Sequence, residues 1–214
     1  MNHIKLYRHP LSGHSHRAQL LLSLLGIDAE LVDVDLTSGE HKQDAFLALN
    51  RFGQVPVLTD GDSVIADSNA ILVYLATRYD PARGWLPTDP VVAAEVQRFL
   101  SIAAGPVSYG PAAARLVNVF NAALDHQQAI EVAHNLFRVL ELHLDGRDWL
   151  AGDRPTIADL ANYTYIAHAP EGDIALANYP KLQAWLVRIE ALPGFVPMQA
   201  TPVGLAACTK LSSR

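Results

Sequence analysis

Apolar and polar positions alternate over residues 3–9. Pro10 and Gly13 then break the pattern, and a leucine-rich run over 17–25 predicts a helix closed by Gly26. Residues 30–35, ELVDVD, alternate again as a strand, and a helix is expected around 42–49. Val55-Pro56-Val57-Leu58 and Val64-Ile65-Ala66 read as two strands on either side of the turn signal Asp60-Gly61-Asp62. Asp67-Ser68-Asn69 stands before a periodic apolar segment reaching Tyr79, the mark of a capped helix start. A proline opening a strand cannot donate to a ladder, so Pro56 belongs at a sheet edge or where the chain turns. A cis Val55-Pro56 bond is one way to meet that geometry, and it would leave the Val55 backbone open to an extended peptide.

The order β-α-β, helix, hairpin, helix predicts a small mixed sheet with helices on its faces and a right-handed first crossover. Beyond Tyr79 the pattern changes. Residues 81–87, PARGWLP, form a turn-rich linker, and no strand pattern follows it. A helix over 91–104 is interrupted by Gly105-Pro106 and Gly110-Pro111 and resumes over 112–123. Residues 127–144 carry Ile130, Ala133, Leu136, Phe137, Leu140 and Leu144 on one helical face. Two more helices are expected, one opened by Thr156-Ile157-Ala158-Asp159 and one over 181–192. The fold class is therefore α/β followed by all-α, with one domain over 1–80, a linker over 81–87 and a helical domain over 88–214.

Composition narrows the function. A chain of 214 residues, half of them apolar, has enough apolar residues for real cores. Its net charge of −6 argues against nucleic acid as the main partner, because phosphate recognition needs a basic face. No apolar run is long enough to span a membrane. The start, MNHIKLY, reads as a strand rather than a signal peptide, so a cytoplasmic address is expected. The single cysteine, Cys208, allows no intrachain disulfide and no Cys-x-x-Cys pair. His126, His134, His143 and His168 lack metal-ligand spacing, so no metal is expected and they read as surface or core-edge residues.

Several motifs occur in order and in register. They are HPLSGHSHR over 9–17, His41-Lys42, NRFGQVP over 50–56, DSNAI over 67–71, Tyr74-Leu75, and TIAD over 156–159 after GDRP. This set resembles the cytosolic glutathione transferase family, with the first segment similar to its serine-type, phi- and theta-like members. The resemblance runs to about Phe195. It implies a thioredoxin-like first domain that binds glutathione, a helical second domain that completes the site for another substrate, and a homodimer.

Glutathione carries two carboxylates, an ammonium and a thiol. By the resemblance Ser12, in the turn from strand to helix, donates its hydroxyl to the thiolate, with Ser15 as the alternative donor. Lowering a thiol pKa from roughly 8.5–9 to near 7 requires about 2–3 kcal/mol of preferential thiolate binding. One hydroxyl donor to a charged group supplies about 1.5–3 kcal/mol, and the helix terminus adds to it. Arg17 is either a source of positive potential near the thiolate or half of a surface or inter-domain ion pair. The resemblance gives Ser68 and its N–H the γ-glutamyl carboxylate and Asp67 the ammonium, although Asp67 stands where most relatives carry the longer glutamate. His41 and Lys42 are implied for the glycyl carboxylate, with Gln54, Val55 and Pro56 along the peptide. Phe52 is either a key inserted into a dimer partner or a residue packed within its own domain. Tyr109, Arg115 and Asn118, on or just after the Gly-Pro breaks, are the second-substrate candidates, and Thr156 and Asp159 are structural caps. The implied reaction is transfer of the thiolate to an electrophile, with hydroperoxide reduction open to the same thiolate. The alternatives are a glutathione-dependent isomerase or lyase and a non-enzymatic binding module of the same fold.

Overall fold

The computed structural model describes residues 4–201; Cys208 lies outside them. Its first part is β1 (Lys5–Arg8), α1 (Gly13–Leu24), β2 (Glu30–Asp33), α2 (Asp44–Leu47), β3 (Val57–Asp60), β4 (Ser63–Ala66) and α3 (Ser68–Tyr79). The strands form one sheet in the order β2-β1-β3-β4, with β1 and β2 parallel and the other pairs antiparallel. This is the thioredoxin-like arrangement that the sequence implied. From there on the described residues hold only helices: α4 (Pro90–Ala104), α5 (Ala113–Phe120), α6 (His126–His143), α7 (Ile157–Ala167) and α8 (Pro180–Glu190).

Several expected elements differ in detail. The helix around 42–49 is a 3-10 turn, Glu40–Lys42, and the short α2, separated because Gln43 is extended at φ −79°, ψ 153°. The strand expected to reach residue 35 ends at Asp33. The helix expected to run to 123 stops at Phe120, where Asn121 turns left-handed (φ 52°) and caps it. The break at Gly110-Pro111 is a wide π turn, Ser108–Ala112, which accommodates a proline that has no N–H to give to the helix ladder. Pro56 precedes the first ladder residue of an interior strand, so it marks a turn rather than an edge, and the Val55-Pro56 bond is cis.

The two halves share one hydrophobic core. Leu6, Leu20, Leu21, Leu58, Ile71 and Leu75 from the sheet and its helices join Phe99, Phe137, Leu160 and Trp185. A small second cluster, Val34, Phe46 and Val57, covers the other sheet face under α2. At the centre lies α7, with Ile157 through Ile166 all buried. A helix start with no access to water must satisfy its first N–H groups internally. Thr156 and Asp159 do so as a capping box. Asp159 Oδ2 accepts from the Thr156 N–H at 2.9 Å, and Oδ1 accepts from the Leu150 N–H and the Trp185 indole, both at 2.9 Å. The linker joins the same place, its Trp85 carbonyl accepting from the Ile157 N–H at 2.9 Å.

Asp159→Ala strands those N–H donors in the core and is expected to cost about 3 kcal/mol in chemical denaturation. Burial lifts the Asp159 carboxyl to about 6. The folded state therefore keeps its proton to higher pH than the unfolded chain, and this contribution to stability is lost as pH rises through that value. The stability of the wild type relative to Asp159→Asn should accordingly fall by on the order of 1 kcal/mol between pH 5 and pH 7. An unchanged difference would remove the assigned burial effect.

Candidate functional site

A cavity of about 760 Å³ opens where the C-terminal end of β1, the loops before β3 and the start of α3 meet the helical half. That size suits a small-molecule ligand. Its polar wall includes Ser12, His41, Lys42, Gln54, Asp67 and Ser68, with Val55 and Pro56 beside them. Ala112, Leu116, Phe120 and Tyr165 of the helical half make an apolar wall.

Two helix starts face this space. Ser12 is the N-cap of α1, its hydroxyl accepting from the Ser15 N–H at 3.2 Å. Ser15 is buried, takes the His9 N–H at 3.3 Å and is not among the cavity-lining residues. Asp67 caps α3, its carboxylate accepting from the N–H groups of Asn69 and Ala70, which leaves the N–H of Ser68 as one the cap does not take. Asp67 holds φ 75°, ψ 129°, a conformation strained for any residue with a Cβ and commonest at functional positions.

Arg17 is buried and makes no ion pair among the described residues, so the expected surface or inter-domain ion pair does not form. It lies on the face of α1 that packs against α3, fully buried, and donates to the Ser68 hydroxyl at 3.2 Å and to Asn69 Oδ1 at 2.9 Å. Its Nε and Nη2 have no hydrogen-bond partner among the described residues. Burial lowers its pKa to about 10, so it remains a cation at neutral pH, set beneath a helix N-terminus. His14, to which no role had been given, is the other neighbour of Ser68, with Nδ1 at 3.3 Å from the hydroxyl. Burial first, and Arg17 next, push its pKa down to about 3, so the ring is neutral.

On the facing segments, Lys42 Nζ donates to the carbonyls of Phe52 (3.3 Å) and Gly53 (2.9 Å), which fixes the ammonium at the cavity wall. Gly53, at φ 56°, is needed there, because a Cβ would meet the His41 carbonyl at 2.7 Å. The His41 Nδ1 is buried without a hydrogen-bond partner among the described residues. Val55 makes no backbone hydrogen bond to the described residues. Phe52 is 81% exposed, so it does not pack within its own half.

Of the second-substrate candidates only Arg115 lines the cavity. Its guanidinium is engaged by Glu171 at 2.6 Å and by the Leu11 carbonyl at 2.8 Å, which ties the residue before Ser12 to the helical half. Tyr109 is 70% exposed and lies outside the cavity, because the wide turn directs its neighbour Ser108 inward instead. Asn118 binds the Glu171 carbonyl and Asp173 rather than open space. Tyr165 and Phe120 line the cavity but gave no signal in the sequence, since each is simply one apolar position on a helix.

Residues 2–77 match the family described as glutathione S-transferase, N-terminal domain, and residues 104–193 match glutathione S-transferase, C-terminal domain. The chain is 37% identical to glutathione S-transferase 3 of Zea mays, covering 90% of this chain and 91% of that one. It is 30% identical to glutathione S-transferase theta-2 of Homo sapiens, covering 89% and 82%. Among solved structures, a glutathione S-transferase from Pseudomonas fluorescens Pf-5 superposes with a TM-score of 0.86 at 31% identity, over 91% of this chain and 98% of that one. A glutathione transferase homologue from Drosophila mojavensis, crystallised with bound glutathione, gives 0.82 at 28% identity over 90% of each chain. The chain belongs to the glutathione S-transferase family.

Arg17→Met removes a buried, incompletely paired cation, so the thermal midpoint should stay level or rise. Calorimetry with glutathione should show about tenfold weaker binding, because a carboxylate at the α3 start would lose the charge beneath it. Unchanged affinity would detach Arg17 from the site.

Proposed function

We propose that the protein binds glutathione in this cavity, stabilises its thiolate at Ser12 and transfers the sulfur to an electrophilic small molecule. The observation that carries this reading is the meeting of two helix starts in one cavity, each offering a serine hydroxyl. The start of α3, with Ser68 backed by Arg17, suits the γ-glutamyl carboxylate, and Asp67 suits the ammonium beside it. Lys42 and His41 suit the glycyl carboxylate, while Gln54, Val55 and Pro56 lie along the peptide. Ser12 then donates to the sulfur.

The chemistry asks little more of the protein. The thiol proton leaves to solvent, the thiolate lone pair forms a bond to the electrophilic carbon, and a leaving group departs or a double bond accepts the electron pair. At neutral pH the rate follows the thiolate fraction, which Ser12 and the α1 terminus raise. The apolar wall of Leu116 and Phe120 favours a hydrophobic acceptor. Organic hydroperoxides are acceptors for the same thiolate, with a second glutathione closing the cycle as a disulfide.

We take residues 1–80 as the glutathione domain and 88–214 as the domain completing the acceptor site, joined by 81–87. We also take the chain to act as a homodimer in the cytoplasm, with the exposed Phe52 as a partner contact. No helix among the described residues is long and apolar enough to cross a membrane.

Ser12→Ala is expected to lower kcat/KM for a chlorodinitrobenzene-type acceptor about 10- to 100-fold. Glutathione affinity by calorimetry should stay within several-fold. Loss of most activity in Ser15→Ala but not in Ser12→Ala would move the thiol donor, and no measurable glutathione binding by the wild type would remove the reading altogether.

A further inference from the structure

The motif over 9–17 supplies Ser12, His14, Ser15, His16 and Arg17 to the interior, and its first residue, His9, has had no part so far. The His9 backbone is pinned to the turn that carries Ser12. Its carbonyl accepts the Ser12 N–H at 2.9 Å, and its own N–H donates to Ser15 Oγ at 3.3 Å. The ring lines the same cavity as Ser12 and stands edge-on to Phe120, with centroids 5.9 Å apart. His9 thus joins the turn assigned to the sulfur to the apolar wall assigned to the acceptor.

The ring's orientation follows from one hydrogen bond. Nδ1 accepts the Leu11 N–H at 3.3 Å. A ring nitrogen that accepts carries no proton, so the neutral ring holds its proton on Nε2. The two nitrogens flank one carbon and point away from each other. With Nδ1 turned back on its own turn, the Nε2–H is directed toward the cavity that the ring lines. Nε2 has no hydrogen-bond partner among the described residues. Burial lowers the ring's pKa, Asp33 and Asp35 oppose it, and Arg8 and Arg115 assist it. The imidazole is therefore neutral at pH 7, with one unspent N–H.

A donor in that place suits one kind of acceptor. When a thiolate adds to an α,β-unsaturated carbonyl compound, its lone pair forms a bond to the β carbon. The carbon–carbon π pair moves to the bond between the α carbon and the carbonyl carbon, and the carbonyl π pair moves onto oxygen. The resulting enolate oxygen needs a donor until a solvent proton adds to the α carbon. A neutral imidazole can be that electrophile. Displacement of a halide from a saturated carbon puts the charge on the departing halide instead, and no oxygen gains it.

We propose that His9 is a catalytic residue for conjugation of α,β-unsaturated carbonyl compounds: its Nε2–H donates to the carbonyl oxygen while the sulfur held at Ser12 attacks the β carbon. This rests on the reading of the cavity as a glutathione site with Ser12 at the sulfur. No proton leaves His9. Its hydrogen bond strengthens as charge grows on the oxygen, so it favours the transition state over the bound acceptor.

The test compares two aromatic acceptors, benzylideneacetone and benzyl chloride, in wild type, His9→Asn and His9→Gln. Asparagine can still take an N–H two residues on, as Asn50 Oδ1 takes that of Phe52 at 3.1 Å, but it is too short to replace the Nε2–H. Glutamine reaches as far as Nε2 and gives up the contact with Leu11. In His9→Asn the ratio of kcat/KM for benzylideneacetone to that for benzyl chloride is expected to fall about 10- to 100-fold. In His9→Gln the ratio should stay within about threefold of the wild type, because a donor is restored at the same reach. An unchanged ratio in His9→Asn would overturn the proposal and leave His9 a turn residue. An equal fall of the ratio in both variants would overturn it too, since the reach of the donor would then not matter. A wild type that conjugates benzyl chloride but not benzylideneacetone would overturn this inference alone. A wild type that conjugates neither would overturn the proposed function and this inference with it.

Discussion

The structure depends on how the first turn of α1 is held against the helical half of the chain. That turn carries Ser12; the sheet half holds it through the Ser12 N–H to the His9 carbonyl, the His9 N–H to Ser15 and the His14–Ser68 contact, and the helical half adds the rest. Arg115, anchored on the buried Glu171, takes the Leu11 carbonyl on one side. Tyr165 closes on Gly13 from below. One turn further on, His16 bonds the Thr164 hydroxyl and the Val196 carbonyl, each at 2.8 Å. Burial pushes His16 down to about 4, so it serves as a neutral bridge rather than a charge. A hydroxyl that must aim at one atom needs a rigid support. Here part of the support comes from residues more than a hundred positions away in the chain. This explains why the buried start of α7 is so fully hydrogen-bonded: if α7 shifts, the turn bearing Ser12 loses its floor.

The parts of the site that a sequence can reveal are those built from local rules. Ser12 and Asp67 are helix caps, and a cap is written in a few adjacent residues, so both helix starts and their serines could be read in advance. Pro56 was legible because a proline restricts the backbone at its own position. What escaped reading depends on direction. Arg17 was placed correctly on α1, but whether it faced Ser12, solvent or α3 follows from helix packing, which one helix cannot specify. His14 sat inside a quoted motif without a role because its partner, Ser68, comes from a different helix. Tyr165 was one aromatic residue in a uniformly apolar helix. Its relevance appears only when Gly13, a residue that reads as a turn, is seen to be a point of contact. Tyr109 and Asn118 failed for the opposite reason. Their positions near a kink suggested a cleft, but the wide turn at Ser108–Ala112 changes which residues face inward.

The cavity is divided by chemistry. Its polar side is made by short segments with fixed backbones, and the proposed function reads the charges there as matched to a tripeptide with two carboxylates. Its other side, Ala112, Leu116 and Phe120, offers surface and little hydrogen bonding. Such a wall discriminates weakly among hydrophobic acceptors, because a methylene more or less is worth only about 1–3 kcal/mol. On the proposed function, selectivity for the cosubstrate and tolerance toward the acceptor would follow from one architecture, in which the sheet half contributes caps and loops and the helical half contributes side chains of packed helices.

The central claim is that the α1 start, with Ser12 at its cap, stabilises the glutathione thiolate. Its most direct test is an ultraviolet titration of thiolate absorbance in the wild-type complex with glutathione. A midpoint about one to two units below that of free glutathione is expected, equivalent to about 1.4–2.7 kcal/mol of preferential thiolate binding. A midpoint at the free-thiol value, with glutathione bound, would contradict it.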